Sequence, residues 1–152
     1  VDAIKIRSRK TELFNQYLTS ESFKPREGVE DIIDYAKEKK LKLGFVTSTS
    51  INNINAVFTA LKDFVQEDIF DFIGNNNLIE NPKPNSEIYH KALESLSLNA
   101  FECIAIEDTE ESVKSAIDAK IKCVGFPGYF HKHNSFNQCK IKLNKLDLSI
   151  FD

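Results

Sequence analysis

The chain has 152 residues, the size of a single domain. Hydrophobic residues make up 41% and charged residues 28%, which excludes collagen-like, low-complexity and wholly disordered chains. The 20 Lys and Arg against 23 Asp and Glu leave a net charge of −3, a balance that speaks against nucleic acid as the main partner. No apolar run approaches the roughly 18 residues of a membrane-spanning helix, so no membrane partner is expected. Cys103, Cys123 and Cys139 form no CxxC and are odd in number. They point to a reducing, cytoplasmic compartment rather than a disulfide framework. The chain contains no Met and begins with Val, which is expected either of a chain whose initiator was removed or trimmed or of a fragment whose N-terminus lies upstream.

Residues 1–18 mix many charges with a few apolar residues and contain no Gly or Pro, which predicts a mostly exposed helix. Pro25 and Gly28 then break the chain. Val29, Ile32, Ile33 and Ala36 fall at helical spacing over 28–40. Residues 41–47, LKLGFVT, form a short apolar run bounded by Ser and Thr and predict a buried strand. A second helix is predicted over 51–62 and a second strand over 68–74. A loop with Pro82 and Pro84 follows, then a helix over 86–96. Residues 103–107, CIAIE, predict a third strand. Thr109 is placed to cap the next helix, with Glu110 and Glu111 suited to its positive end. Residues 121–126 predict a fourth strand. The tail after Pro127 is polar until Ile141, Leu143, Leu146, Leu148 and Ile150. Strands alternating with helices four times imply an α/β domain with a parallel sheet covered on both faces.

In such sheets ligands sit beyond the carboxyl ends of the strands. Thr47, Ser48 and Thr49 follow the first strand, Glu107 and Asp108 end the third, and Lys83 lies in the proline-flanked loop between them. Hydroxyl and N–H groups can donate to phosphate oxygens, and the lysine supplies a point cation. The carboxylates suit Mg²⁺, a hard ion that takes oxygen ligands together with substrate phosphate. Each piece also has an ordinary explanation: helix capping for the hydroxyls, solvation for the lysine, and dipole compensation for the acids.

Order and spacing narrow the choice. LGFVTSTS, NPKPNSEIYHKALESL and CIAIEDTEESVKSAIDA resemble the second, third and fourth motifs of the haloacid dehalogenase (HAD) superfamily. They look most like its CbbY and β-phosphoglucomutase-like branch. The resemblance implies a HAD-like, Rossmann-like parallel sheet with flanking helices. Thr47 and Lys83 would be the catalytic residues, with Thr47, Ser48, Thr49 and Lys83 on phosphate and Glu107 and Asp108 on Mg²⁺. RKTELFNQYL (9–18) resembles the end of the family's last cap helix, so residues 1–22 would close a helical cap domain and 23–152 would form a partial core. Lys10, in the basic cluster with Arg7 and Arg9, would contact the substrate's second phosphate or sugar. The implied protein is a Mg²⁺-dependent phosphohydrolase of a small phosphorylated sugar and a monomer. A sugar-phosphate mutase and a non-catalytic phosphate-binding remnant are the alternatives.

The chain departs from the family at Ser112 and Lys120, where Gly is usual. It also lacks the Asp-x-Asp motif, whose first Asp is the family's nucleophile on the central strand. The family layout therefore implies a chain cut upstream, unable to form an aspartyl-phosphate. Strands 41–47 and 102–107 would lose their common neighbour, leaving a slot of unpaired backbone groups. Either low stability or closure of the two strands on each other is expected. A cooperative, high-temperature melt by circular dichroism would count against it. A receiver domain fits less well, because its acids precede its Thr. His131 and His133, separated by one lysine, lack a third ligand for a metal. His90 is expected to be partly exposed, and Cys103 and Cys123 are expected to be small buried hydrophobes.

Overall fold

The computed structural model describes residues 3–20 and 23–152. The first helix, α1, spans Ala3–Ser20. The boundary expected after residue 22 falls beside residues 21 and 22, which lie outside the described residues, as do Val1 and Asp2. Helix α2 (Val29–Glu38) starts after Gly28, whose φ of 89° is left-handed. A Cβ there would lie 2.0 Å from the carbonyl oxygen of Leu146, so both the turn and the close approach require glycine.

Strand β1 is Gly44–Phe45 and β2 is Phe72–Ile73, paired in parallel with Gly44 opposite Phe72. Between them lies α3 (Ile51–Ala60), capped by the Ser50 hydroxyl, which accepts from the Asn53 N–H at 3.4 Å. Helix α1 packs on α3, and the Asn15 amide donates to Asn53 Oδ1 at 3.0 Å. Helix α4 (Glu87–Leu96), strand β3 (Ile104–Glu107), helix α5 (Glu110–Asp118) and strand β4 (Lys122–Gly125) follow. The Thr109 hydroxyl caps α5, accepting from Ser112 N–H at 3.2 Å, as its sequence position predicts.

Two features differ from expectation. The strands expected over 41–47 and 68–74 shrink to two residues each, and residues Glu67–Ile69 form a 3-10 turn. A fifth strand, β5 (Ile141–Lys142), pairs in parallel with β4. It is too short, and too mixed with polar neighbours, to leave an apolar run in the sequence.

The strands form two sheets, ordered β1-β2 and β3-β4-β5. Between β1 and β3 lies a slot of about 570 Å³, lined by Gly44, Phe45 and Val46 on one wall and Ala105, Ile106 and Glu107 on the other. Of the two expected outcomes, low stability or closure of these two strands on each other, closure is not seen. In a parallel strand each residue turns its N–H and C=O to one edge, and the edges alternate. The carbonyls of Leu43 and Phe45 accept from Asp71 and Gly74 at 2.8 Å, on the β2 side. Gly44 and Val46 therefore turn to the slot. The Glu107 carbonyl accepts from Phe126 at 2.7 Å, so by the same alternation Ile104 and Ile106 face the slot.

The core is densest around β4. Cys123 belongs to a cluster with Ile88, Tyr89, Val113 and Ala116, and Val124 on the other face belongs to one with Ile32, Leu146 and Ile150. Alternate residues of β4 thus enter different clusters, which explains why the strand is apolar apart from its exposed first residue, Lys122. Burying each such aliphatic side chain contributes about 1.5–3 kcal/mol. A third cluster, Ile54, Phe58 and Val65 with Phe45 and Phe70 against it, supports β1 and β2. After α2, α4 and α5 the chain turns through the left-handed residues Lys40, Ser97 and Lys120, with φ of 55°, 53° and 66°. Lys120 is one of the two positions where the sequence departs from the expected glycine.

Candidate functional site

Lys83 sits in a loop closed on itself. The Glu87 carboxylate accepts from the N–H groups of Glu80 (3.0 Å) and Asn81 (2.9 Å) and from the Asn81 amide (3.1 Å). These bonds favour the charged form and lower the Glu87 pKa. The Asn85 side chain accepts from the Glu87 N–H at 2.9 Å, and the buried Ser115 hydroxyl donates to the Asn85 carbonyl at 2.7 Å. The Lys83–Pro84 bond is cis. The Lys83 side chain runs from this loop into the slot.

The Lys83 ammonium bridges the two walls. It donates to the Val46 carbonyl at 2.9 Å and to Glu107 Oε1 at 2.5 Å. Both ion-pair side chains are close to fully buried, at 11% and 9% exposed. Tyr89, 5% exposed on α4, donates its phenol to the same Oε1. Burial, with the Glu107 charge second, pushes the Tyr89 phenol well up from its ordinary value. The Lys83 ammonium also lies 5.1 Å from the Tyr89 ring centroid.

Asp108 is exposed, and its carbonyl accepts from Gly128 N–H at 3.5 Å. Beside it stands Arg26, whose guanidinium donates to the carbonyls of Phe126 and Pro127, each at 2.8 Å. The Arg26 guanidinium stacks 3.4 Å from the Phe126 centroid. Burial lowers the Arg26 pKa, and the Asp108 charge opposes that shift.

Thr47, Ser48 and Thr49 are half-buried beyond β1. The Thr47 hydroxyl accepts from the Thr49 N–H at 3.2 Å, and the Thr49 hydroxyl accepts from the Asn53 amide at 2.7 Å. The structure thus gathers the Thr47 turn, Lys83 and Glu107 at one end of the slot, with Asp108 next in the chain. Lys10 is exposed on α1, and the described link from α1 to the Thr49 turn runs through Asn15 and Asn53. Arg9 pairs with Glu12 at 2.8 Å, and the Arg7 side chain lies outside the described residues.

Sequence reasoning missed Tyr89, Arg26 and Asn53. For Tyr89 a signal existed: a phenol on the apolar face of a helix, with Ile88, Ala92 and Leu96, needs a polar partner when buried. Arg26 and Asn53 left no such pattern. His90 is exposed, and His131 lies 3.4 Å from the Asn134 amide. Cys123 is buried, which pushes its thiol up, and Cys103 is half-buried. Among the described residues, no three His, Cys, Asp or Glu side chains converge as metal ligands. Nor is any helix among them long and apolar enough to cross a membrane.

The sequence profile of the haloacid dehalogenase-like hydrolases matches residues 2–126. Protein CbbY of Cereibacter sphaeroides is 30% identical over 131 residues, covering 86% of this chain and 57% of that protein. The phosphorylated carbohydrates phosphatase of Thermotoga maritima is 30% identical over 103 residues, 68% of this chain and 46% of that protein. The chain thus spans about half the length of these relatives. Among solved structures, CbbY from Rhodobacter sphaeroides in complex with phosphate superposes with a TM-score of 0.84 at 28% identity, over 95% of this chain and 64% of that one. A variant of the same protein, solved with xylulose-(1,5)-bisphosphate, gives 0.85 at 28% identity. With a profile match over most of its length and CbbY relatives on both comparisons, the chain belongs to the haloacid dehalogenase-like hydrolase family.

Proposed function

We propose that this chain supplies the phosphate- and metal-binding part of a phosphohydrolase acting on a small phosphorylated sugar. The observation that carries the reading is the Lys83 bridge, which brings a buried cation to the strand end that leads into Thr47 and to a buried carboxylate. The phosphatase and the bisphosphate complex among the relatives support the substrate class. On this reading residues 1–22 close a helical cap domain and 23–152 form the core.

Mg²⁺ fits the donor set. Glu107 and Asp108 offer adjacent hard oxygens at the end of β3, and Mg²⁺ is commonly held by one or two carboxylates completed by phosphate and water. When bound, it would offset charge on the phosphate oxygens. Lys83 would bind phosphate and orient it as a fixed cation close to Glu107. Thr47, Ser48 and Thr49 would donate to the phosphate oxygens, with the Thr49 hydroxyl oriented by Asn53. Lys10 would meet a second phosphate or the sugar. Such a site works by positioning and electrostatics. The sequence contains no Asp-x-Asp, so binding without turnover is the proposal for these 152 residues by themselves.

The test is hydrolysis of a panel of sugar mono- and bisphosphates with Mg²⁺, using a chain extended before Val1 by a strand bearing Asp-x-Asp. Turnover is expected, and Lys83→Ala together with Asp108→Ala is expected to abolish it. Activity that survives both substitutions removes the site assignment.

A further inference from the structure

Glu107 is a buried carboxylate whose side-chain hydrogen bonds among the described residues all fall on one oxygen. Lys83 and the Tyr89 phenol both donate to Oε1, while Oε2 has no partner among the described residues. Lys83 has a second acceptor in the Val46 carbonyl, and on the reading above it also serves phosphate. It therefore cannot fix the carboxylate alone once a ligand draws on it. Tyr89 differs. It is buried on α4 amid Ile88, Ala92 and Leu96, with Val113 and Ala116 of α5 in the same cluster. Glu107 is its one hydrogen-bond partner among the described residues. A phenol has few rotamers and no charge to compete for phosphate.

We propose that Tyr89 is a positioning residue for Glu107, holding Oε1 so that Oε2 is the oxygen offered to a divalent cation. This rests on the reading of Glu107 and Asp108 as a half-site for such a cation. Groups that orient a liganding side chain commonly change metal affinity by about 10–100-fold when removed. A tyrosine that merely filled space would leave affinity unchanged when replaced by phenylalanine.

The experiment measures Mn²⁺ binding to the full chain, with and without inorganic phosphate, by electron paramagnetic resonance of free Mn²⁺. Tyr89→Phe is expected to weaken binding about tenfold, and to have no further effect in a Glu107→Gln background. Asp108→Asn is expected to weaken binding independently. If Asp108→Asn weakens binding and Tyr89→Phe does not, the proposal is overturned and the half-site stands. If the wild-type chain binds no Mn²⁺, or Asp108→Asn is silent, the half-site itself falls and the proposal falls with it.

Should Tyr89→Phe fail to fold, ¹⁹F NMR of the chain carrying 3-fluorotyrosine decides the matter. Single Tyr→Phe substitutions at positions 17, 35 and 129 leave the Tyr89 resonance assigned by elimination. Addition of Mg²⁺ is expected to shift it, and an unmoved resonance under conditions where Mn²⁺ binds would refute the proposal.

Discussion

The two sides of the slot are built from the same kinds of residue but are supported differently. Strand β4 has a neighbour on each edge and an apolar cluster on each face, and its ladder with β3 runs for four residues. Strand β1 has one neighbour, a two-residue ladder, and an exposed Gly44. The apolar run 41–47 is one residue longer than 121–126, and each carries one Lys, so neither length nor composition sets the difference. The number of satisfied edges does, because an unpaired edge leaves backbone groups to water or to side chains. Lys83 meets part of that need by donating to Val46, the carbonyl that a neighbouring strand would otherwise engage.

The largest contrast is expected in hydrogen exchange. Amides of Ile104 and Ile106 should exchange at least about a thousandfold faster than that of Ala105 on the same strand, since local opening spans nearly zero to the global free energy. Equal protection along β3 would mean that the slot is closed in solution. Next is Lys83→Ala, which leaves Glu107 buried without its cation. Breaking a buried pair costs roughly 3–5 kcal/mol, and the loss should appear in urea unfolding at neutral pH. Lys83→Ala with Glu107→Gln should recover part of it.

A smaller effect of opposite sign is expected on the well-supported side. Lys120→Gly relieves a left-handed backbone after α5 and should stabilise by about 1 kcal/mol, read as a raised Tm. The smallest effect concerns acid. Backbone hydrogen bonds from Glu80 and Asn81 lower the Glu87 pKa from the ordinary carboxylate value in the folded chain, so its contribution is present at neutral pH and is lost as pH falls through the folded value. Glu87→Gln should therefore differ from wild type at pH 7 and converge with it in strong acid.

The helices were legible because their apolar spacing and caps are local: Thr109 announces α5, and the missing glycine at Lys120 announces a strained turn. The site was legible as motifs, since Thr47, Lys83 and Glu107 follow predicted strands in order. Their joining was not, because the Lys83 bonds span 37 and 24 residues of sequence. Tyr89 and Arg26 act through contacts of the same long-range kind. Strand β5 exists only because β4 offers it an edge. The division of β1-β2 from β3-β4-β5 follows from edges, which composition does not record.

The ring of hydrogen bonds around Glu87 bears on affinity. Loop 80–87 is tied by its own side chains and by Ser115, and among the described residues its hydrogen bonds to the slot walls are those of Lys83. A bound anion would meet a lysine whose backbone is already ordered, so little loop entropy is lost on association. That preorganisation belongs to the segment and not to the sheet: 80–87 holds its shape by its own bonds, while the slot walls, through Val46 and Glu107, place the ammonium at its tip.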